Sequence, residues 1–146
     1  MPLNASSLSS GLASLFSGPP PSAGGCAAQW ASSVQSWAVG IVPPSAAVSG
    51  AVSTLQGALS SAFASPNCAP ALESAFAAFA VTVGGGMVGY APTPPPGQVG
   101  FASQFAGPKP ATAAAAASAI ASLIDTWAKT GLSTLIAPPN TVVPWS

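Results

Sequence analysis

The sequence predicts an all-α protein: a small bundle of four main helices plus one or two short helices, with Pro-rich linkers and a Pro-rich tail. Two observations support this. Apolar side chains recur at helical spacing in several segments of the 146-residue chain, and proline or glycine stands where those segments should end. With 17 prolines and 15 glycines the chain approaches low complexity, but its 49% hydrophobic content is periodic, which favours folding over disorder.

The first two helices are expected at about 5–17 and 23–40. Asn4 is a good N-cap for the first helix, and Gly18 ends it before a Pro-rich corner. Ser22 can cap the second helix. The apolar stripes consist of Leu8, Leu12, Leu15 and Phe16 in the first helix, and of Cys26, Trp30, Val34 and Trp37 in the second.

The third helix is expected to be capped by Ser45 and to run to about Ala64. The fourth opens at Asn67 or Cys68 and ends near the glycines at 84–86. The β-branched run at 81–83 suits a strand as well, but we predict helix there. The apolar stripes are Val48, Val52, Leu55, Leu59 and Phe63 in the third helix, and Leu72, Phe76, Phe79, Ala80 and Val83 in the fourth.

The last third of the chain is predicted to hold a Pro-rich linker at 91–99, a short helix near 99–106 and a long Ala-rich helix at about 111–130. A Pro-rich tail follows at 132–146. Within the long helix, Asp125 and Lys129 are spaced to form an i, i+4 ion pair. Its buried stripe is predicted to consist of Ile120, Leu123, Ile124 and Trp127.

One motif occurs twice. Residues 11–21 and 100–110 share the pattern G-[LF]-A-S-x-F-[SA]-G-P-x-P, and a tryptophan follows each copy at nearly the same distance. We interpret this as a duplicated unit, a short helix followed by a long one that bears the tryptophan. The single domain, 1–146, is then divided into repeat unit A at about 11–44, a central helical hairpin at 45–90, and repeat unit B at 100–139.

Charge is almost absent: the chain has 2 basic and 2 acidic residues, no histidine and no net charge. Attraction to nucleic acid is therefore not expected. A soluble monomer with so few charges tends to associate, which favours a surface covered by other subunits.

No stretch of about 18 residues is uninterrupted by polar residues or proline, so we expect no membrane span. The N-terminus does not resemble a signal peptide.

The residues that could support chemistry are few. General acid–base catalysis needs histidine or a held carboxylate, and the carboxylates are Glu73 and Asp125. We expect Glu73 to lie near the first turn of its helix, where its charge favours the helix dipole, and Asp125 to pair with Lys129. The sequence therefore predicts no catalytic residues, no cofactor site and no metal site.

Cys26 and Cys68 each lie near the start of a long helix. If both helices begin at the same end of the bundle, a disulfide between them is feasible, and two free thiols are the alternative.

Trp30, Trp37 and Trp127 fall on helix stripes and are predicted to be core. Trp145 either folds back into the core or docks on a neighbouring subunit as an interface residue. The candidate interface residues are Trp145, Pro144, Phe101 and Phe105.

The stretch from Gly100 to Ser146, with G-F-A-S-x-F-A-G-P-x-P, W-x-x-T-G and P-W-S, resembles small Ala/Pro-rich, nearly uncharged virion proteins of tailed bacteriophages. This resemblance implies a non-catalytic structural part of a tail, neck or baseplate, present in many copies in the virion and partnered by other virion subunits. It assigns no functional residues. The alternative is a secreted or cell-surface Ala/Pro-rich helical protein of a GC-rich bacterium, and a small enzyme is opposed by the lack of histidine.

Overall fold

The computed structural model describes residues 2–19 and 21–146. Within them the chain is mainly helical, as predicted, but it also contains a small sheet that was not predicted. The helices are α1 (Ala5–Ser17), α2 (Ala23–Ala38), α3 (Val48–Ala64), α4 (Cys68–Gly85), α5 (Phe101–Ala106) and α6 (Ala113–Ala128). The strands are β1 (Tyr90–Thr93), β2 (Leu132–Leu135) and β3 (Val142–Pro144).

The helices pack as a series of neighbours around one core. α1 lies between α2 and α6, α3 lies between α2 and α4, and α5 packs on α4. The predicted apolar stripes of the four long helices face this core. Residues 11–17 of the first copy belong to the 13-residue α1, whereas residues 101–106 of the second copy form the six-residue α5. The division into duplicated units stays a prediction.

Several helix ends follow the predicted local signals. Asn4 Oδ1 accepts the Ser6 backbone N–H at 2.9 Å, and Ser22 Oγ accepts that of Gly25 at 3.1 Å. The β-branched run at 81–83 is helical, as expected.

Ser45 does not cap α3, which begins three residues later without a side-chain cap. Its hydroxyl instead donates to the Val83 carbonyl at 2.6 Å and accepts the Ala47 N–H at 3.2 Å. The serine therefore joins the segment before α3 to the end of α4, as a second donor to the Val83 carbonyl, which also accepts the Gly86 N–H at 3.1 Å.

The sheet has the order β1-β2-β3, and both pairs are antiparallel. It forms from segments that we predicted as a Pro-rich linker and tail, so the all-α prediction holds only in its main part. Each edge strand contains a proline, Pro92 in β1 and Pro144 in β3. Since proline cannot donate a backbone hydrogen bond, both edges are poorly suited to pair with a further strand.

Trp145 takes the first of its two predicted alternatives: it folds back and is 2% exposed. Its indole N–H donates to Ser133 Oγ at 2.8 Å, and its backbone N–H donates to the Gly131 carbonyl at 2.9 Å. Ser146 and Val42 exchange backbone hydrogen bonds next to it. Trp145 is therefore a core residue and not an exposed interface residue.

The other three tryptophans, Trp30, Trp37 and Trp127, are buried as predicted.

Helix α4 bears on the prediction of no membrane span, which stays a prediction. By length and composition alone it is apolar enough to cross a membrane, although 44% of it is buried inside the fold. The core helix of a soluble protein passes the same test, so this is weak evidence for a span.

Candidate functional site

Glu73 is a buried carboxylate that organises the start of α5. Its Oε2 accepts the Val99 N–H at 2.6 Å, and its Oε1 accepts the N–H groups of Gly100 and Phe101 at 2.8 and 2.7 Å. The prediction that Glu73 acts on the dipole of its own helix is wrong, because no acidic residue lies in the first turn of α4. Its carboxylate instead accepts hydrogen bonds at the start of α5.

The reason for this arrangement lies in the N-cap of α5. That residue is Gly100, which has a left-handed φ of 106° and no side chain to accept a hydrogen bond. The carboxylate of Glu73 supplies the missing acceptor and places a negative charge at the positive end of α5. α5 and its two phenylalanines, Phe101 and Phe105, are thereby fixed against α4.

Asp125 is the second buried carboxylate, and it joins two helices. The predicted pair with Lys129 is present, with Nζ 2.7 Å from Oδ2. In addition, the Trp37 indole N–H donates to Oδ1 at 2.9 Å, which links α2 to α6. The sequence predicted only the local pair.

Replacing Asp125 with alanine is therefore expected to cost about 2–3 kcal/mol of unfolding free energy, because it leaves the buried Trp37 N–H without an acceptor. Lys129→Ala removes the other half of the same ion pair, which is partly exposed, and should cost less than about 1 kcal/mol. Urea denaturation of both variants tests this. Equal losses would mean that the ion pair, and not the indole hydrogen bond, is what stabilises the fold.

The two thiols are free and half-buried, so the feasible disulfide is not formed in this structure. Cys26 lies in the first turn of α2, and Cys68 is the first residue of α4. Burial raises the pKa of the Cys26 thiol above its usual value, and Cys68 nearby raises it further. Burial likewise raises the pKa of Cys68. Both thiols are therefore less nucleophilic than ordinary cysteines near neutral pH.

The side-chain carboxylates already have partners within the fold. Each carboxylate is engaged by hydrogen bonds from its own chain. Within 2–19 and 21–146 there is no group of three or more His, Cys, Asp or Glu side chains placed to hold a metal ion.

A surface groove of about 330 Å³ lies between the end of α1, α5, the following 107–110 corner and the first half of α6. Its polar side chains are Gln104 and Lys109. Its apolar side chains are Phe16, Phe105, Pro108, Pro110, Ala116 and Ile120. We call it the phenylalanine groove.

The phenylalanine groove is where the two copies of the repeated motif meet. Phe16 and Phe105 occupy the same position in the two copies, and both line it. Core aromatics support them: Phe16 packs edge-on to Trp30 at a centroid distance of 6.4 Å, and Phe105 lies 6.0 Å from Phe101. The sequence shows the repeat, but it does not show that the two phenylalanines line the same surface groove.

The sheet provides a second surface, its outer face. Because residues paired across antiparallel strands point to the same side, one side of the sheet can be assigned from the register. Leu132 and Val142 on this side are 39% and 54% exposed. None of its side chains is charged: they are Ala91, Thr93, Leu132, Thr134, Val142 and Pro144.

The four candidate interface residues are thus divided. Trp145 and Phe101 are buried. Phe105 is 47% exposed in the phenylalanine groove, and Pro144 is exposed on the outer sheet face.

Comparison with known proteins gives no matching family model, no matching curated protein and no matching solved structure.

Proposed function

We propose that this chain is a non-catalytic structural component of a tailed-phage virion, in its tail, neck or baseplate, and that it acts by packing against neighbouring subunits. The observation that carries the proposal is the outer sheet face, an uncharged surface with exposed Leu132 and Val142. Scarcity of charged residues is typical of the centre of protein–protein contacts.

The distribution of charge supports the same role. Three of the four charged side chains, Glu73, Asp125 and Lys129, are engaged within the fold. Little charge is left on the surface to keep neighbouring subunits apart. The prolines at both sheet edges disfavour strand addition, so contact through the face of the sheet is favoured over contact through its edges.

The proposal is tested by mass spectrometry of purified phage particles from the source host. Recovery of the chain in a fixed ratio to known tail proteins is the expected result. Absence from particles, with recovery from the culture medium or the cell envelope, would overturn the proposal in favour of a secreted or cell-surface protein.

A variant pair tests the role of the sheet. Val142→Lys places a charge on the outer sheet face and is expected to lower incorporation into particles at least fivefold, because an unpaired buried charge opposes association. Val81→Lys is the matched control, since Val81 is 60% exposed on α4, compared with 54% for Val142. Equal incorporation of the two folded variants would show that the sheet face is not the contact.

A further inference from the structure

We propose that the phenylalanine groove binds a single-chain amphiphile with a carboxylate head, such as a medium-chain fatty acid. The acyl chain lies on Phe16 and Phe105, and the carboxylate meets Lys109. This site goes beyond the structural role proposed above and does not depend on it.

The size and lining of the groove suit a small apolar ligand. Its volume of about 330 Å³ is at the lower end of the range for small-molecule clefts, about 300–1,000 Å³. Phe105 is nearly half exposed there, beside the largely buried Ile120. The groove is preformed, because Glu73 fixes α5 on one side and Trp30 backs Phe16 on the other.

Lys109 determines the charge of the ligand. Both side-chain carboxylates are committed elsewhere, Glu73 to backbone N–H groups and Asp125 to Trp37 and Lys129. Within the described part of the chain no carboxylate pairs with Lys109. An anion that meets this ammonium group must therefore come from outside the fold, and a carboxylate at the end of an apolar chain is complementary to the groove.

The lining favours an acyl chain over a peptide. A bound peptide brings backbone N–H and C=O groups, which need partners when they leave water. The groove offers few, because Pro108 and Pro110 have no N–H and because Gln104 and Lys109 are the polar side chains among the described residues that line it. A methylene chain brings no such groups, and its single polar end can be satisfied by Lys109.

The test is a titration of the full chain with dodecanoate below its micelle concentration, followed by calorimetry and by amide NMR shifts. We expect saturable binding with shifts centred on 101–110, and weaker binding of dodecyltrimethylammonium, whose head has the opposite charge. Phe105→Ala should weaken dodecanoate binding about tenfold. Lys109→Gln should weaken it about two- to fivefold, as expected for an exposed ion pair, and remove the preference over the cationic probe.

Val81→Ala is the control, since it truncates an exposed apolar residue outside the groove and should leave binding unchanged. Three results would overturn the proposal: no saturable binding, binding unaffected by Phe105→Ala, or groove shifts produced by raising the protein concentration alone. The last would identify a second copy of the chain as the occupant. None of these three results affects the structural proposal, which is tested separately by recovery of the chain from virions.

Discussion

Glu73→Ala is expected to destabilise the protein by about 3–5 kcal/mol and to detach α5 from α4. The substitution removes the acceptor of three backbone N–H groups, at 2.6–2.8 Å from the carboxylate. Hydrogen bonds to a charged acceptor contribute about 1.5–3 kcal/mol each, and a buried donor without an acceptor costs about 1–3 kcal/mol. Because water can reach some of the released groups, we expect less than the sum.

Two readouts separate this effect from a general loss of stability. Urea denaturation gives the unfolding free energy, and hydrogen exchange should accelerate first at 99–106, where the carboxylate acts. Glu73→Gln keeps one acceptor oxygen and should be intermediate. Ser74→Ala, at the exposed neighbouring position, should change stability by less than about 0.5 kcal/mol. A loss below about 1 kcal/mol for Glu73→Ala, with unchanged exchange at α5, would contradict the assignment of Glu73 as the cap.

Trp145→Ala is expected to cost a similar amount, about 3–5 kcal/mol, because it empties a site at the centre of the sheet–helix contact. The indole is 2% exposed and packs closely on two glycines. A Cβ added at Gly131 would lie 2.6 Å from its Cδ2 atom, and one at Gly84 would lie 3.2 Å from Cζ2. Removal also leaves the buried Ser133 hydroxyl without its donor.

Two milder variants show how much of the lost unfolding free energy comes from packing of the indole and how much from its hydrogen bond. Trp145→Phe keeps much of the packing and loses the N–H, so about 1–2 kcal/mol is expected. Val142→Ala changes an exposed residue of β3, the strand that ends just before Trp145, and should cost less than about 0.5 kcal/mol. Thermal or urea unfolding gives the unfolding free energy of all three variants. If Trp145→Ala unfolded like Val142→Ala, the tail would not be part of the cooperative core.

The helices were predictable because their signals are local. Asn4, Ser22 and the apolar stripes act over a few residues, and the observed ends lie close to the predicted ones: α1 covers 5–17 as expected, and α6 covers 113–128 against 111–130. The burial of Trp30, Trp37 and Trp127 followed from the same periodicity.

The sheet could not be predicted in this way. Its strands have three or four residues, two of them contain proline, and β1 pairs with a strand about 40 residues further along the chain. Short segments of this kind become strands only when the helices bring them side by side, because isolated strands this short are not stable.

The side chains that define the candidate sites divide along the same line. The sequence alone was enough to single out the repeated Phe16 and Phe105 and to predict the Asp125–Lys129 pair, since a motif and an i, i+4 spacing are local patterns. The tertiary structure decided that Glu73 caps α5, that Trp37 reaches Asp125, and that Trp145 is buried. Each of these joins residues far apart in the chain, and a hydrogen bond or contact of that kind depends on the packing of whole helices rather than on neighbouring residues.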